Sequence, residues 1–298
     1  MASQFKRSES LANGVERQIR RQLDAALELL STSTRPLDYR VHEARKCLKR
    51  LRALFALTEG SLDRDLVERE RSLVRSAAHA LAELRSAAAL SETFTALVER
   101  YPGVLSESLV HGVQHTLAQA PERAAPDKAV ADAIEALAKA RDVAGKLEVT
   151  SSGFAVIDRG FRRTYARARR RFRRAQRSRE VDDLHEFRTQ QKRHFYQLEL
   201  FTKWWPKVIR AECRELDRLG ERLGEHHDLS LLMPELERRG FTAELAADLP
   251  ALIDRRRSEL ESAITHQAAR LFAESPRARA RRFQAYYDAL ELRPQKKP

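Results

Sequence analysis

Apolar residues recur at every third or fourth position through most of the chain, the spacing of one face of an α-helix. Ala, Leu, Arg and Glu dominate, runs of β-branched residues are absent, and glycine and proline are sparse. The pattern predicts an all-α fold. Val15 to Leu30 reads as one helix. A second starts behind Asp38 as N-cap and reaches Thr58, with Gly60 as its stop. Leu62 to Ala89 reads as a third, followed by shorter ones to Tyr101. Pro102, Gly103, Pro121 and Pro126 mark the stretch from 102 to 127 as a boundary region, and a helix from Lys128 to Leu147 follows. Beyond it, helices are predicted at Phe154–Gln176, Val181–Trp204, from Pro206 to Gly224, Leu229–Arg238, Thr242–Phe272 and Arg277–Leu290, with a frayed tail from Arg293 to Pro298.

The order of elements repeats, and so does a polar motif. Val41-His42-Glu43-Ala44-Arg45-Lys46-Cys47-Leu48-Lys49-Arg50 returns as Leu184-His185-Glu186-Phe187-Arg188-Thr189-Gln190-Gln191-Lys192-Arg193. Arg17-Gln18-Ile19-Arg20-Arg21 is matched by Arg159-Gly160-Phe161-Arg162-Arg163, and Leu81–Ser86 by Leu223–Asp228. The chain therefore reads as two related helical bundles, residues 1–150 and 151–298, packed as one molecule.

On a helical wheel His42, Arg45, Lys46, Lys49 and Arg52 share one face, opposite Val41, Ala44, Leu48, Leu51 and Phe55. In the second copy His185, Arg188 and Lys192 take the same positions and Tyr196 joins them, while Arg50 and Arg193 lie to the side. Arg17 and Arg21 oppose Ile19, Leu23 and Leu30. Arg159, Arg163, Arg170, Arg173 and Arg177 oppose Phe161, Tyr165, Ala168 and Phe172. From Arg159 to Arg179 there are eleven arginines and no acidic residue. Like charges at i,i+4 repel, so an unbroken positive stripe is easier to explain with an anion lying against it.

Charge agrees with that reading. The formal net charge is +13, which favours polyanionic partners such as nucleic acid, an anionic membrane or polyphosphate. Cys47 and Cys213 are the only cysteines, so neither a disulfide framework nor a cysteine metal cluster is expected. The first residues carry no apolar signal core and no apolar run approaches a membrane span. A cytoplasmic protein without membrane association is the expectation. His226-His227-Asp228 hints at metal, but adjacent helical residues diverge by about 100° and the first-half counterpart, Leu84-Arg85-Ser86, holds no ligand set. No metal or cofactor is expected.

The repeated His-x-x-Arg-x-x-x-Lys-Arg motif, at His42, Arg45, Lys49 and Arg50 and again at His185, Arg188, Lys192 and Arg193, resembles that of the CHAD family, the conserved histidine α-helical domain. Leu223–Asp228, which contains His227, resembles the family's third-helix signature. The resemblance runs from Val15 to Leu290. It implies two pseudo-symmetric bundles around a basic groove or pore, binding of inorganic polyphosphate, and association with polyphosphate granules. The candidate binding set is His42, Arg45, Lys46, Lys49, Arg50, Arg52, His185, Arg188, Lys192, Arg193, Arg17, Arg20, Arg21, Arg159, Arg162, Arg163, Arg170, Tyr196 and His227. The chain departs from the family pattern at Arg85-Ser86, where related first halves often read Arg-Asp. Within the repeat, Thr189 replaces Lys46 and Phe195 replaces Arg52.

Three alternatives stay open on the residues alone. A nucleic-acid-binding helical protein shares the charge, although the basic stripes carry few aromatics for base stacking. An enzyme acting on phosphates would need metal-holding carboxylates or a phosphate loop, and neither a Glu-x-Glu-x-Lys motif nor a Gly-rich loop occurs. A scaffold recruiting other granule proteins is the third. The expected mode is non-catalytic electrostatic capture, with His42 and His185 adding charge below about pH 6.5.

Overall fold

A computed structural model describes residues 4–82, 86–119, 126–241 and 248–290. These residues form eleven α-helices and no strand beyond an isolated bridge between Leu62 and Val149. In order they are α1 (Leu11–Ser31), α2 (Leu37–Leu57), α3 (Arg64–Ala80), α4 (Ser86–Arg100), α5 (Glu107–Ala118), α6 (Pro126–Ala144), α7 (Ala155–Ser178), α8 (Val181–Phe201), α9 (Pro206–Arg238), α10 (Leu249–Leu271) and α11 (Pro276–Asp288).

Local chemistry sets many of the ends. Ser10, Asp63, Ser106 and Ser275 each accept a backbone N–H three residues on, satisfying a donor that the first turn leaves open. Asp38 is not the N-cap of α2. Pro36 enters in an extended conformation and takes that place, and Asp38 lies in the first turn, where its charge suits the positive helix end.

Three predicted boundaries differ. The helix expected over 62–89 is interrupted: α3 ends at Ala80, where the Leu81 carbonyl accepts from Arg45 Nη1 at 2.9 Å. Residues 83–85, part of the segment compared with 223–228, lie outside the described residues. The boundary region contains α5, whose Leu109, Val113 and Leu117 bury one face behind the Ser106 cap. Finally, α9 runs unbroken through Gly224 to Arg238. The interior glycines Gly220 and Gly224 cost only about 1 kcal/mol each, and buried Leu219, Leu223, His226, Leu229, Leu232 and Leu236 hold the register.

One hydrophobic cluster includes side chains from α1 through α11. The helices α7, α8 and α9 pack in succession, α1 lies on α2 and α6, α3 on α6, and α2 crosses both α7 and α8. At the α2–α7 crossing Gly160 is required. A Cβ there would overlap the carbonyl oxygens of Ala56 and Leu57, so the two backbones meet directly. Against α7 and α8, Phe161, Phe201 and Phe283 form an aromatic cluster, with centroids 5.4 Å and 4.9 Å from Phe161. Arg279 of α11 closes it. This side chain is only 2% exposed, ion-paired to Glu212 and Glu274, hydrogen-bonded to His194 at 3.0 Å, and laid over the rings of Tyr165 and Phe283.

Candidate anion-binding site

The two motif-bearing helices, α2 and α8, pack against each other. Where they meet, a cavity of about 120 Å³ is lined by Lys49 and Arg52 from the first copy and Arg188, Thr189, Lys192, Arg193 and Tyr196 from the second. Five of the seven are cations and none is a carboxylate.

The second-copy side chains reach this place because α9 gives them room. Gly220 leaves the space that the Lys192 stem fills, and a Cβ there would fall 2.6 Å from Nζ. Lys192 Nζ then meets Asp217 Oδ1 at 3.0 Å. The Tyr196 ring carries Arg50 at 5.7 Å, and burial pushes the phenol up to about 12, so it stays a donor at any ordinary pH. Arg193 donates to Gln190 Oε1 at 3.2 Å. Burial, and then the charges of Arg52, Arg167 and Arg71, bring its guanidinium down to about 10.

The remaining candidates are placed elsewhere. His42 and Lys46 gather on Glu43, at 3.8 Å and 2.7 Å, and Arg45 is committed to the Leu81 carbonyl. Arg50 approaches Glu199 at 3.8 Å and faces a depression of about 930 Å³ between α1 and α2. Arg17, Arg20 and Arg21 line that same depression, but Glu16, Asp24, Glu28 and Glu43 line it too, and Arg17 is clamped by Glu9. Arg162 and Arg163 pair with Asp158 and Glu59. Arg159 lies against Gly60.

His185 and His227 stack on one another with centroids 4.2 Å apart. Burial, followed by His185, Arg188 and His226, lowers His227 to about 4, so it is neutral at physiological pH. The neighbouring His226 is buried and bonded to Glu261 at 3.0 Å.

The arginine run of α7 continues past its paired start into a cleft of about 720 Å³, lined by Arg167, Arg170, Arg171, Arg173, Arg174 and Arg177 with Gln190 of α8. Glu186 holds Arg171 at 2.5 Å and Asp183 holds Arg174 at 2.7 Å. Gln190 therefore lies in the wall of the cleft and also accepts from Arg193 of the cavity. Arg167 and Arg71 were missed as candidates. Arg167 was signalled by the arginine run itself, whereas Arg71 sits in the mixed-sign stretch Glu68-Arg69-Glu70-Arg71, which gives no hint of it.

The model of the CHAD domain matches residues 17–237. This chain belongs to the CHAD family. The CHAD match takes in α2, α7, α8 and nearly all of α9, and hence every side chain lining the cavity and the α7 cleft; α10 and α11 lie beyond it. No curated protein matches the chain. Among the described residues no three His, Cys, Asp or Glu side chains are placed to hold a metal ion, and no helix is long and apolar enough to cross a membrane.

Proposed function

We propose that the chain binds inorganic polyphosphate, without chemistry of its own, and that this attaches it to polyphosphate granules. The observation that carries the reading is the α2–α8 cavity, where cations from both copies of one motif converge and no carboxylate lines the wall. CHAD membership supports the same ligand class. In this reading 1–150 and 151–298 are the two repeats, and the anion lies where their motif helices meet.

Each side chain has a distinct part. Arg52, Arg188 and Arg193 offer planar forks that match two phosphate oxygens at once. Lys49 and Lys192 act as movable point charges, with Lys192 exchanging Asp217 for phosphate. Tyr196 and Thr189 donate hydroxyl hydrogen bonds without adding charge. The α7 cleft extends the positive surface beyond Gln190, so a chain seated in the cavity continues along Arg167, Arg170, Arg173 and Arg177. Binding is driven by release of the counterions that polyphosphate carries, and so weakens steeply with salt.

The test is binding of sized polyphosphate to wild type and to a Lys49→Gln, Arg52→Gln, Arg188→Gln, Arg193→Gln variant, with RNA of equal charge as competitor. The reading expects loss of polyphosphate binding in the variant. It also expects RNA to compete poorly in the wild type. Unchanged affinity in the variant overturns the site, and full displacement by RNA makes the protein a nucleic-acid binder.

A further inference from the structure

The α1–α2 depression and the α7–α8 cleft lie at equivalent places in the chain. Buried Val15, Ile19, Leu23, Ala26 and Leu30 of α1 recur, at one constant spacing, as buried Ile157, Phe161, Tyr165, Ala168 and Phe172 of α7. α1 packs on α2 as α7 packs on α8. In that register Ala25, Glu28, Leu29, Thr32 and Arg35 of the depression stand where the cleft has Arg167, Arg170, Arg171, Arg174 and Arg177. In the register of the repeated motif, Cys47 stands where the cleft has Gln190. The groove is the same, but of those five arginine positions only Arg35 keeps its cation.

Both grooves also reach the cavity in the same way. Arg193 lines the cavity and donates to Gln190 in the cleft wall. Its counterpart Arg50 lines the depression and lies over the ring of Tyr196, which lines the cavity. The cavity therefore has an arm on each side. The α1–α2 arm presents Glu16, Asp24, Glu28 and Glu43 beside apolar Ala25 and Leu29. Its cations are partly engaged: Arg17 is clamped by Glu9, and Arg50 approaches Glu199 at 3.8 Å. A polyanion entering there would meet carboxylates and displace few counterions.

We infer, on the polyphosphate reading, that the bound chain leaves the cavity in one direction only, along α7. Ala25, Glu28 and Thr32, standing where α7 has arginines, are the specificity-determining residues that bar the α1–α2 arm. The motif cavity is thus entered from one side, and Arg20 and Arg35 touch no phosphate although they line a groove of the same descent.

The experiment measures binding of long polyphosphate and of tripolyphosphate over a salt series. It compares wild type, an Arg20→Gln, Arg35→Gln variant, and a Glu28→Arg, Thr32→Arg variant that restores second-half residues. The Gln variant should keep the wild-type slope of log K against log salt. The Arg variant should bind long chains more tightly, with a slope steeper by about 1.4, so that its advantage shrinks about 7-fold between roughly 50 and 200 mM salt. Tripolyphosphate, too short to leave the cavity, should bind all three proteins alike. Thr32→Arg alone should steepen the slope by about 0.7 and decides the matter if the double variant does not fold. A slope shallower by about 1.4 in the Gln variant overturns the inference, because the arm would then already hold phosphate. An unchanged slope in the Arg variant overturns it too, as does an equal gain for tripolyphosphate, which is the long-range pull of added charge. Any of these results with wild type still binding leaves the capture reading standing. Wild type that binds no polyphosphate removes both.

Discussion

The salt dependence of polyphosphate binding can be worked out from the structure. Of the five cations lining the α2–α8 cavity, Lys192 is neutralised by Asp217, and the proposal assigns counterion displacement to Lys49, Arg52, Arg188 and Arg193. Of the six arginines in the α7 cleft, Arg171 and Arg174 are held by Glu186 and Asp183, leaving Arg167, Arg170, Arg173 and Arg177. Eight cations displacing about 0.7 counterions each give a slope of log K against log salt near −6. Affinity should then fall about 2,000-fold between roughly 50 and 200 mM salt. Neutralising the four cavity residues to Gln should halve the slope to about −3, and neutralising the four on α7 should do the same. The assay is anisotropy or calorimetry with chains of one length over a salt series. Affinity that drops in the cavity variant while the slope stays near −6 would refute the reasoning, because those side chains would then not be the ones meeting phosphate.

Three further outcomes are expected. Gly160→Ala should cost about 3 kcal/mol or more, because the added methyl meets two backbone carbonyls of α2 that no rotamer change can move; an unchanged denaturation midpoint would contradict the direct backbone contact. Glu70 is fully buried on α3 with neither carboxylate oxygen hydrogen-bonded, and burial raises it to about 8. A raised carboxyl contributes stability that is complete below about pH 4.5 and is lost progressively as pH climbs to about 8, at most on the order of 4 kcal/mol, so Glu70→Gln should be more stable than wild type at pH 8 and flatten the profile. Parallel profiles for the two proteins would defeat that account. Arg279→Met should lose about 3–5 kcal/mol, since it strands Glu212 and Glu274 beside His194, and a double variant with Glu212→Gln should recover part of the loss in a thermodynamic cycle.

Helix positions were readable because apolar spacing survives a surface this charged. The limits of α2, α7 and α8 fall within a few residues of those predicted. What failed was punctuation. Pro102, Pro121 and Pro126 frame α5 and hid it, and Gly224 was read as a stop although its role is to leave space beside Arg188. The repeated motif led to α2 and α8, and six of its surroundings' candidates, Lys49, Arg52, Arg188, Lys192, Arg193 and Tyr196, do line one cavity. Periodicity could not tell which arginines were already engaged. Glu9, Glu59 and Asp217 reach Arg17, Arg163 and Lys192 from other parts of the chain, and such pairings depend on tertiary packing that helical spacing does not encode.

Homology and folding draw different borders on this chain. The family match ends at 237, yet Arg279 and Phe283 complete the packing around His194, Phe161 and Phe201. A protein trimmed to the matched segment would keep every residue proposed to touch phosphate. It would also expose an aromatic cluster and leave Glu212 without its buried cation. The last helix is thus a keystone: it contacts no proposed ligand, but the scaffold that aims α7 and α8 at one is closed only when α11 is in place.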